Sequence, residues 1–370
     1  MSPTKKGFSH ALRRWLHVFA SPMKSDEGKG GLAIQTYRGY GSHNEIYLMG
    51  RVFRQSKIGG RVNQGFWRDV LDVMRRITRR GLPRVNVAVR FGDSHTVVDT
   101  DDDGYFRAHM VINEPLEPNK VWHQAELKVL VKEETVKARA NIYIPPLNTD
   151  YVVISDIDDT VMYTGVANKV KMMIRLFFEK ADRRAAFPGV AAFYQALFCG
   201  NSDQKRPLLY VSRAPWTIYE MLAEFFRLHR IPEGPVLFLR EWGLSWKRPF
   251  PRRAVYHKQQ VIRQMMKLYK DQTFILIGDS GQKDPEVYTQ MVREFPSRIK
   301  TIYIRAIDED PERDASISQL AKEVHDTGST LVLAEDTVTM ARHALSQGYI
   351  SKEGFAAVQE EAKKDKLLPR

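Results

Sequence analysis

The chain has 370 residues, 43% of them hydrophobic and 27% charged, with a formal net charge of +13 and a pI near 9.6. That length suits two or three domains with sizeable cores, and the excess of basic residues points to polyanionic partners: nucleic acid, phosphorylated substrates or anionic membrane. A single cysteine, Cys199, excludes an intramolecular disulfide, and no apolar run is long enough to span a bilayer.

Residues 1–30 read as a basic arm in which Phe8, Leu12, Trp15, Leu16 and Phe19 recur at helical spacing among His10, Arg13, Arg14 and His17. This pattern suits an amphipathic helix lying on anionic lipid, and equally a helix docked on its own protein. Arginines and histidines break what would be the apolar core of a secretion signal, so a cytoplasmic protein is expected, with peripheral membrane contact left open.

Residues 31–147 read as a β domain. Strand-like runs at 44–54, 84–91, 104–112, 125–131 and 136–144, separated by turn residues, suggest a small sandwich of the immunoglobulin or transthyretin-like kind. One helical stretch interrupts them: Trp67, Val70, Leu71 and Met74 form a stripe that ends in Arg75, Arg76, Arg79 and Arg80. It reads as a surface helix with a solvated basic face, or as a patch for anionic lipid. The acidic run Asp99–Gly104 imitates the opening of a calcium-binding loop. That loop needs a bidentate Glu where Met110 stands, so an Asp-Gly turn between strands is the better account.

Pro145, Pro146, Leu147 and Asn148 mark a linker. From 148 to 370 the pattern becomes alternating strands and helices. Strands are expected at 151–155, 208–212, 236–240, 273–278, 299–304 and 330–334, with helices including 190–198, 216–228 and 258–269. This predicts an α/β, doubly wound parallel sheet, whose ligands bind at the carboxyl ends of its strands.

At the end of the first of those strands stand Asp156 and Asp158, with Asp159 and Thr160 following. Strand side chains alternate, so Asp156 and Asp158 project to one side of the chain. Two like charges so close call for a cation or a transferring group between them, which suggests Mg2+ and a phosphate. An acidic turn after a strand is the plainer alternative. Three later positions favour the first reading. Ser212 ends a strand just before a helix, where its hydroxyl and nearby backbone N–H groups suit a phosphoryl oxygen. Asp279 follows Gly278 at another strand end and offers a hard oxygen ligand, with Asp284 behind it. Lys258 supplies positive charge at a helix start.

In this order the motifs resemble the haloacid dehalogenase superfamily of aspartyl phosphotransferases. In closer detail, residues 155–160, the segment Phe187-Pro188-Gly189-Val190, the block from Tyr210 to Trp216, and residues 278–286 are similar to the actin-patch-protein phosphatidate phosphatase family, a relative of the lipin-type phosphatases. The resemblance runs from 148 to about 345, and loosely into Tyr37–Gly41 and Gly50–Val52. Arg213 and Ala214 depart from the small polar residues usual after the strand-end Ser. The resemblance implies an HAD-like fold and a Mg2+-dependent phosphatidate phosphatase. It makes Asp156 the nucleophile and Asp158 the general acid and then base. Mg2+ would sit on Asp156, Asp279 and the backbone carbonyl of Asp158. Ser212 and Lys258 would cradle the phosphoryl oxygens, with Thr160 and Asp284 supporting. Asp159 is then the bystander, expected to point away.

Roughly forty-five residues separate Thr160 from the next strand, too few for a large cap over the site. An open mouth would accept a headgroup still embedded in an anionic membrane surface. The helical stretch 169–180, with Lys169, Lys171 and Arg175 among apolar residues, would lie beside it. A soluble phosphomonoester or a phosphoprotein remains an alternative substrate, and a headgroup-binding adaptor an alternative function. No nucleic-acid partner is expected, since no basic-and-aromatic motif of a known binding fold is present.

Overall fold

A computed structural model describes residues 31–54, 81–118, 120–157, 187–201, 205–212, 216, 219–238, 254–307 and 310–367. The basic arm, the arginine-rich stretch 64–80, the segment 169–180, and Asp158, Asp159 and Thr160 lie outside the described residues. The chain divides into two compact units between Ile144 and Pro145.

In the first unit, β1 (Leu32–Thr36), β2 (Gly39–Gly41), β3 (Glu45–Arg54), β4 (Asn86–Phe91), β5 (Ser94–Asp99), β6 (Tyr105–Val111), β7 (Trp122–Val131) and β8 (Glu134–Tyr143) join one mixed sheet. Its order is β1-β3-β2-β8-β7-β4-β5, with β6 added on β3. Only the β2–β8 pair is parallel among these described pairs. Alternation drives its burial. Along β7, His123, Ala125, Leu127 and Val129 point inward while Gln124, Glu126, Lys128 and Leu130 face out. Inward residues of β1, β3, β4, β6, β7 and β8 meet in one core that includes Ile46, Val52, Val89, Phe106 and Ile142, with Val98 of β5 packed against it.

The sequence reading does not foresee β1, β2 or β5. β2 is three residues with a glycine at each end. β5 opens Ser-His-Thr and never shows a fully buried face, so it lacks the apolar alternation that announces a strand. The acidic run is a turn, as its chemistry suggests. The Asp101 carboxylate accepts the backbone N–H groups of Asp103 and Tyr105 at 2.8 and 2.9 Å, closing the connection from β5 to β6.

The second unit runs β9 (Tyr151–Asp156), α1 (Val190–Cys199), β10 (Leu208–Ser212), α2 (Tyr219–Leu228), β11 (Val236–Phe238), α3 (Ala254–Leu268), β12 (Thr273–Asp279), α4 (Asp284–Glu294), β13 (Ile299–Arg305), α5 (Pro311–Asp326), β14 (Thr330–Ala334), α6 (Thr337–Ser346) and α7 (Lys352–Leu367). All six strands are parallel, in the order β11-β10-β9-β12-β13-β14. Every residue of β9 and β10 is buried, as befits central strands covered on both faces. The chain starts in the middle, builds outward one way, then returns to build the other half. The reversal falls between β9 and β12, and a crevice at the carboxyl ends of those two strands is where such sheets bind ligands. Asp156 ends β9 and Asp279 ends β12. No helix among the described residues is long and apolar enough to cross a membrane.

α1, the first described helix after β9, is held from a distance. α1 has no side-chain cap of its own, and its N-cap, Gly189, has φ +71°. A side chain there would also press on Ala362 of α7, with a Cβ–Cβ distance of 3.0 Å. The open N–H groups are met by α7: Gly189 donates to Asp365 Oδ2 and Ala192 to Glu361 Oε1, each at 3.0 Å. Burial, helped by the neighbouring charge of Asp365 and opposed by the Ala192 N–H bond, lifts the Glu361 carboxyl above its ordinary pKa. The ionised form therefore costs more here than a neutral acceptor would. Glu361→Ala should lower stability by about 1 kcal/mol. Glu361→Gln, which keeps an acceptor for Ala192, should be neutral or slightly stabilising at pH 7. Thermal melting of both variants beside wild type checks this, and equal losses would refute it.

Candidate active site

Three carboxylates and one ammonium meet at the switch point. Asp156, Asp279 and Asp284 are 0% exposed and Lys258 is 1% exposed. The first two come from the ends of β9 and β12, Asp284 opens α4, and Lys258 reaches in from α3. Gly278 makes the approach possible, since a Cβ there would lie 2.3 Å from Asp284 Oδ2. Asp284 in turn accepts the backbone N–H of Asp279 at 3.3 Å. One carboxylate oxygen from each Asp lies within 4.8 Å of the others.

Lys258 Nζ stands 3.0 Å from Asp156 Oδ1 and 2.5 Å from Asp284 Oδ1. Burial alone would depress its pKa, but the charges of Asp156 and Asp284, with their hydrogen bonds, hold it above the ordinary value. The ammonium is thus firmly charged. Three carboxylates against one ammonium leave two negative charges among these four buried groups. A divalent cation with a taste for hard oxygen ligands matches that deficit in charge and in donor type. Below the cluster Tyr288 donates to Ile277 O at 3.0 Å. Burial, then the nearby charges of Asp284, Asp156 and Asp279, push its phenol well above its ordinary pKa, so it stays neutral.

The structure therefore brings Asp156, Lys258, Asp279 and Asp284 together. Ser212 ends β10 fully buried at the same edge of the sheet, one residue past Val211, which is in register with Asp156. Asp158 and Thr160 lie outside the described residues. Asp284, assigned only support from the sequence, belongs to the carboxylate cluster itself.

Sequence reasoning missed four contributors. Gln282 touches both strand-end carboxylates: its backbone N–H donates to Asp279 Oδ1 at 2.8 Å and its side-chain amide to Asp156 Oδ2 at 3.4 Å. Its place inside the stretch 279–284 was a usable signal. Ser155 and Tyr194 share a 2.5 Å hydrogen bond, and Ser155 Oγ donates to the backbone oxygen of Asp156 at 2.8 Å. Arg313, from α5, grips the loop after β12, and nothing in its sequence neighbourhood announces that.

Comparison with known proteins places these residues. Residues 151–306 match the family model described as phosphatidate phosphatase APP1, catalytic domain. Phosphatidate phosphatase APP1 of Saccharomyces cerevisiae is 32% identical over 152 residues, covering 41% of this chain and 25% of that protein. A Schizosaccharomyces pombe protein, named only as uncharacterized protein C29B5.04c, is 26% identical over 215 residues, covering 58% of this chain and 35% of its own length. The chain thus spans only about a quarter to a third of the curated relatives it matches. Among solved structures, a carbohydrate acetylesterase from Xanthomonas citri aligns with 78% of this chain and 73% of its own at 10% identity and a TM-score of 0.26, a likeness too low to inform fold or function. The segment that matches the phosphatidate phosphatase APP1 catalytic-domain model, residues 151–306, holds Asp156, Ser212, Lys258, Asp279 and Asp284.

Proposed function

We propose that this chain is a Mg2+-dependent phosphatidate phosphatase that works through an aspartyl-phosphate on Asp156. The observation that carries the reading is the buried cluster of Asp156, Asp279 and Asp284 with Lys258 at the sheet's switch point. The family match over the same residues supports the substrate class. We further read the second unit, from 148 to 370, as an HAD-like catalytic domain. Residues 31–147 are then a sandwich-like accessory domain.

In this mechanism an Asp156 carboxylate oxygen attacks the phosphorus of the monoester. The ester P–O bond breaks, and the departing alcohol, diacylglycerol, takes its proton from Asp158. Asp158, now ionised, removes a proton from water. The oxygen of that water attacks the phosphorus, inorganic phosphate leaves, and the Asp156 carboxylate is restored. Lys258 stays protonated and offsets negative charge beside Asp156, while Ser212 offers a hydroxyl to a phosphoryl oxygen. Mg2+, held by Asp156, Asp279 and the backbone carbonyl of Asp158 with Asp284 beside them, would neutralise the phosphoryl oxygens when bound. The net charge of +13 supports peripheral contact with an anionic membrane surface, where phosphatidate resides.

The decisive experiment measures phosphate release from phosphatidate in mixed micelles, with and without Mg2+, for wild type beside Asp156→Asn. Wild type should release phosphate only with Mg2+, and Asp156→Asn should lose at least about 10³-fold. A folded wild-type protein that releases none would end the proposal. A small phosphate ester in the same assay should react far more slowly. Faster turnover of the small ester would move the substrate to a soluble phosphomonoester.

The motif assignment makes its own prediction. Asp158→Asn should lose activity comparably to Asp156→Asn, and Asp159→Asn far less. Equal loss at all three positions would mean that the acid/base has been misplaced.

A further inference from the structure

The loop between β12 and α4 has to present Asp279 and Gln282 to Asp156, and contacts from outside it add to its own Gln282 N–H bond to Asp279. Its first part is tied to the end of β13: Ser280 N–H donates to Arg305 O at 2.8 Å, and Ser280 Oγ accepts from Ile307 N–H at 3.1 Å. The remainder is held from α5. Arg313 Nε donates to Ser280 O at 2.8 Å and Nη2 to Gln282 O at 2.8 Å. The same guanidinium makes a two-pronged pair with Glu286, at 2.6 Å from Nη1 and 3.0 Å from Nη2.

Arg313 stands in the first turn of α5, where Asp310 caps the helix and accepts its backbone N–H at 3.1 Å. A cation at that end opposes the helix dipole. Its placement there is explained by the acceptors it reaches, two backbone carbonyls and one carboxylate, which suit a planar fork of donors and not a point charge. The plainer account is a partly exposed ion pair joining α4 to α5, worth little beyond stability. Against it stand the contacts to Ser280 O and Gln282 O, which belong to the loop and not to α4.

We propose that Arg313 is the positioning residue of the site. By fixing the carbonyls of Ser280 and Gln282, it sets the direction of Gln282 N–H toward Asp279 and of the Gln282 amide toward Asp156. It therefore sets the carboxylate geometry that a divalent cation would meet. Arg313 lies outside the residues matched by the family model. The inference rests on the proposed phosphatase reading only in taking this cluster as the metal-binding centre.

The test uses Mn2+ as the probe, with its binding to the full chain read by electron paramagnetic resonance. Arg313→Met should weaken Mn2+ binding roughly tenfold, and lower kcat on phosphatidate more than it changes KM. Glu286→Gln removes the ion pair but leaves both carbonyl contacts, so it should stay within about threefold of wild type. Melting temperatures of the variants are recorded alongside. If Arg313→Met does not fold, Arg313→Lys is measured with the same expectation, since one ammonium cannot reach all three acceptors. Wild-type Mn2+ affinity in the Arg313 variant overturns the proposal, and so does a loss in Glu286→Gln equal to it. A wild type that binds no Mn2+ overturns it too. If wild type binds Mn2+ but releases no phosphate, the phosphatase reading falls while the ratio of Mn2+ affinities still decides the role of Arg313.

Discussion

Burying Asp156, Asp279 and Asp284 against the single ammonium of Lys258 is the constraint on which the second unit depends. Each ion taken out of water costs several kcal/mol unless it is well paired. Such a group persists only where the backbone cannot relax away from it. Two adjacent central strands provide that rigidity, because β9 and β12 are hydrogen-bonded in parallel register from Tyr151 to Ser155. Asp284 gains further from its position as the first residue of α4, where the helix dipole favours a carboxylate. Gly278 completes the arrangement by leaving room for it.

Two phenols beside this charged centre are neutral and committed. Tyr288 spends its hydroxyl on Ile277 O, and Tyr194 spends its own on Ser155, which in turn holds the Asp156 carbonyl. Burial, the first cause in both cases, raises the pKa of both phenols, so neither adds a negative charge to a cluster that already has an excess. The remaining deficit can be met by a cation or by an approaching group that brings one. That charge balance is compatible with a divalent cation on grounds that do not rely on resemblance.

Much of this was legible in the chain. The six strands of the second unit are dense in β-branched and aliphatic residues, and each lies within two residues of the expected position, because strands buried on both faces leave continuous apolar runs. Asp156, Ser212 and Asp279 were visible because each ends such a run. Lys258 was harder, being one basic residue near the start of an amphipathic helix, and only the fold brings it to Asp156. Arg313 left no trace at all. Its meaning depends on where α5 crosses the loop after β12, a tertiary fact with no local pattern. In the first unit β5 was missed for a related reason, since a half-exposed polar strand is defined by its pairing with β4 and not by its own composition.

Some of the contacts that escaped the sequence reading come from beyond the matched segment. Arg313 fixes the loop that carries Asp279 and Gln282, and Glu361 and Asp365 cap α1. All three residues come after residue 306, where the family match ends. The residues that bear charge at the site therefore sit within the matched segment, while part of what aims them is supplied by α5 and α7. A segment cut at 306 would keep every carboxylate of the cluster and lose the guanidinium that orients one side of it. It would also leave the N-terminus of α1 without the carboxylates that satisfy it. The chemistry is local to the strand ends; its geometry is a property of the whole second unit.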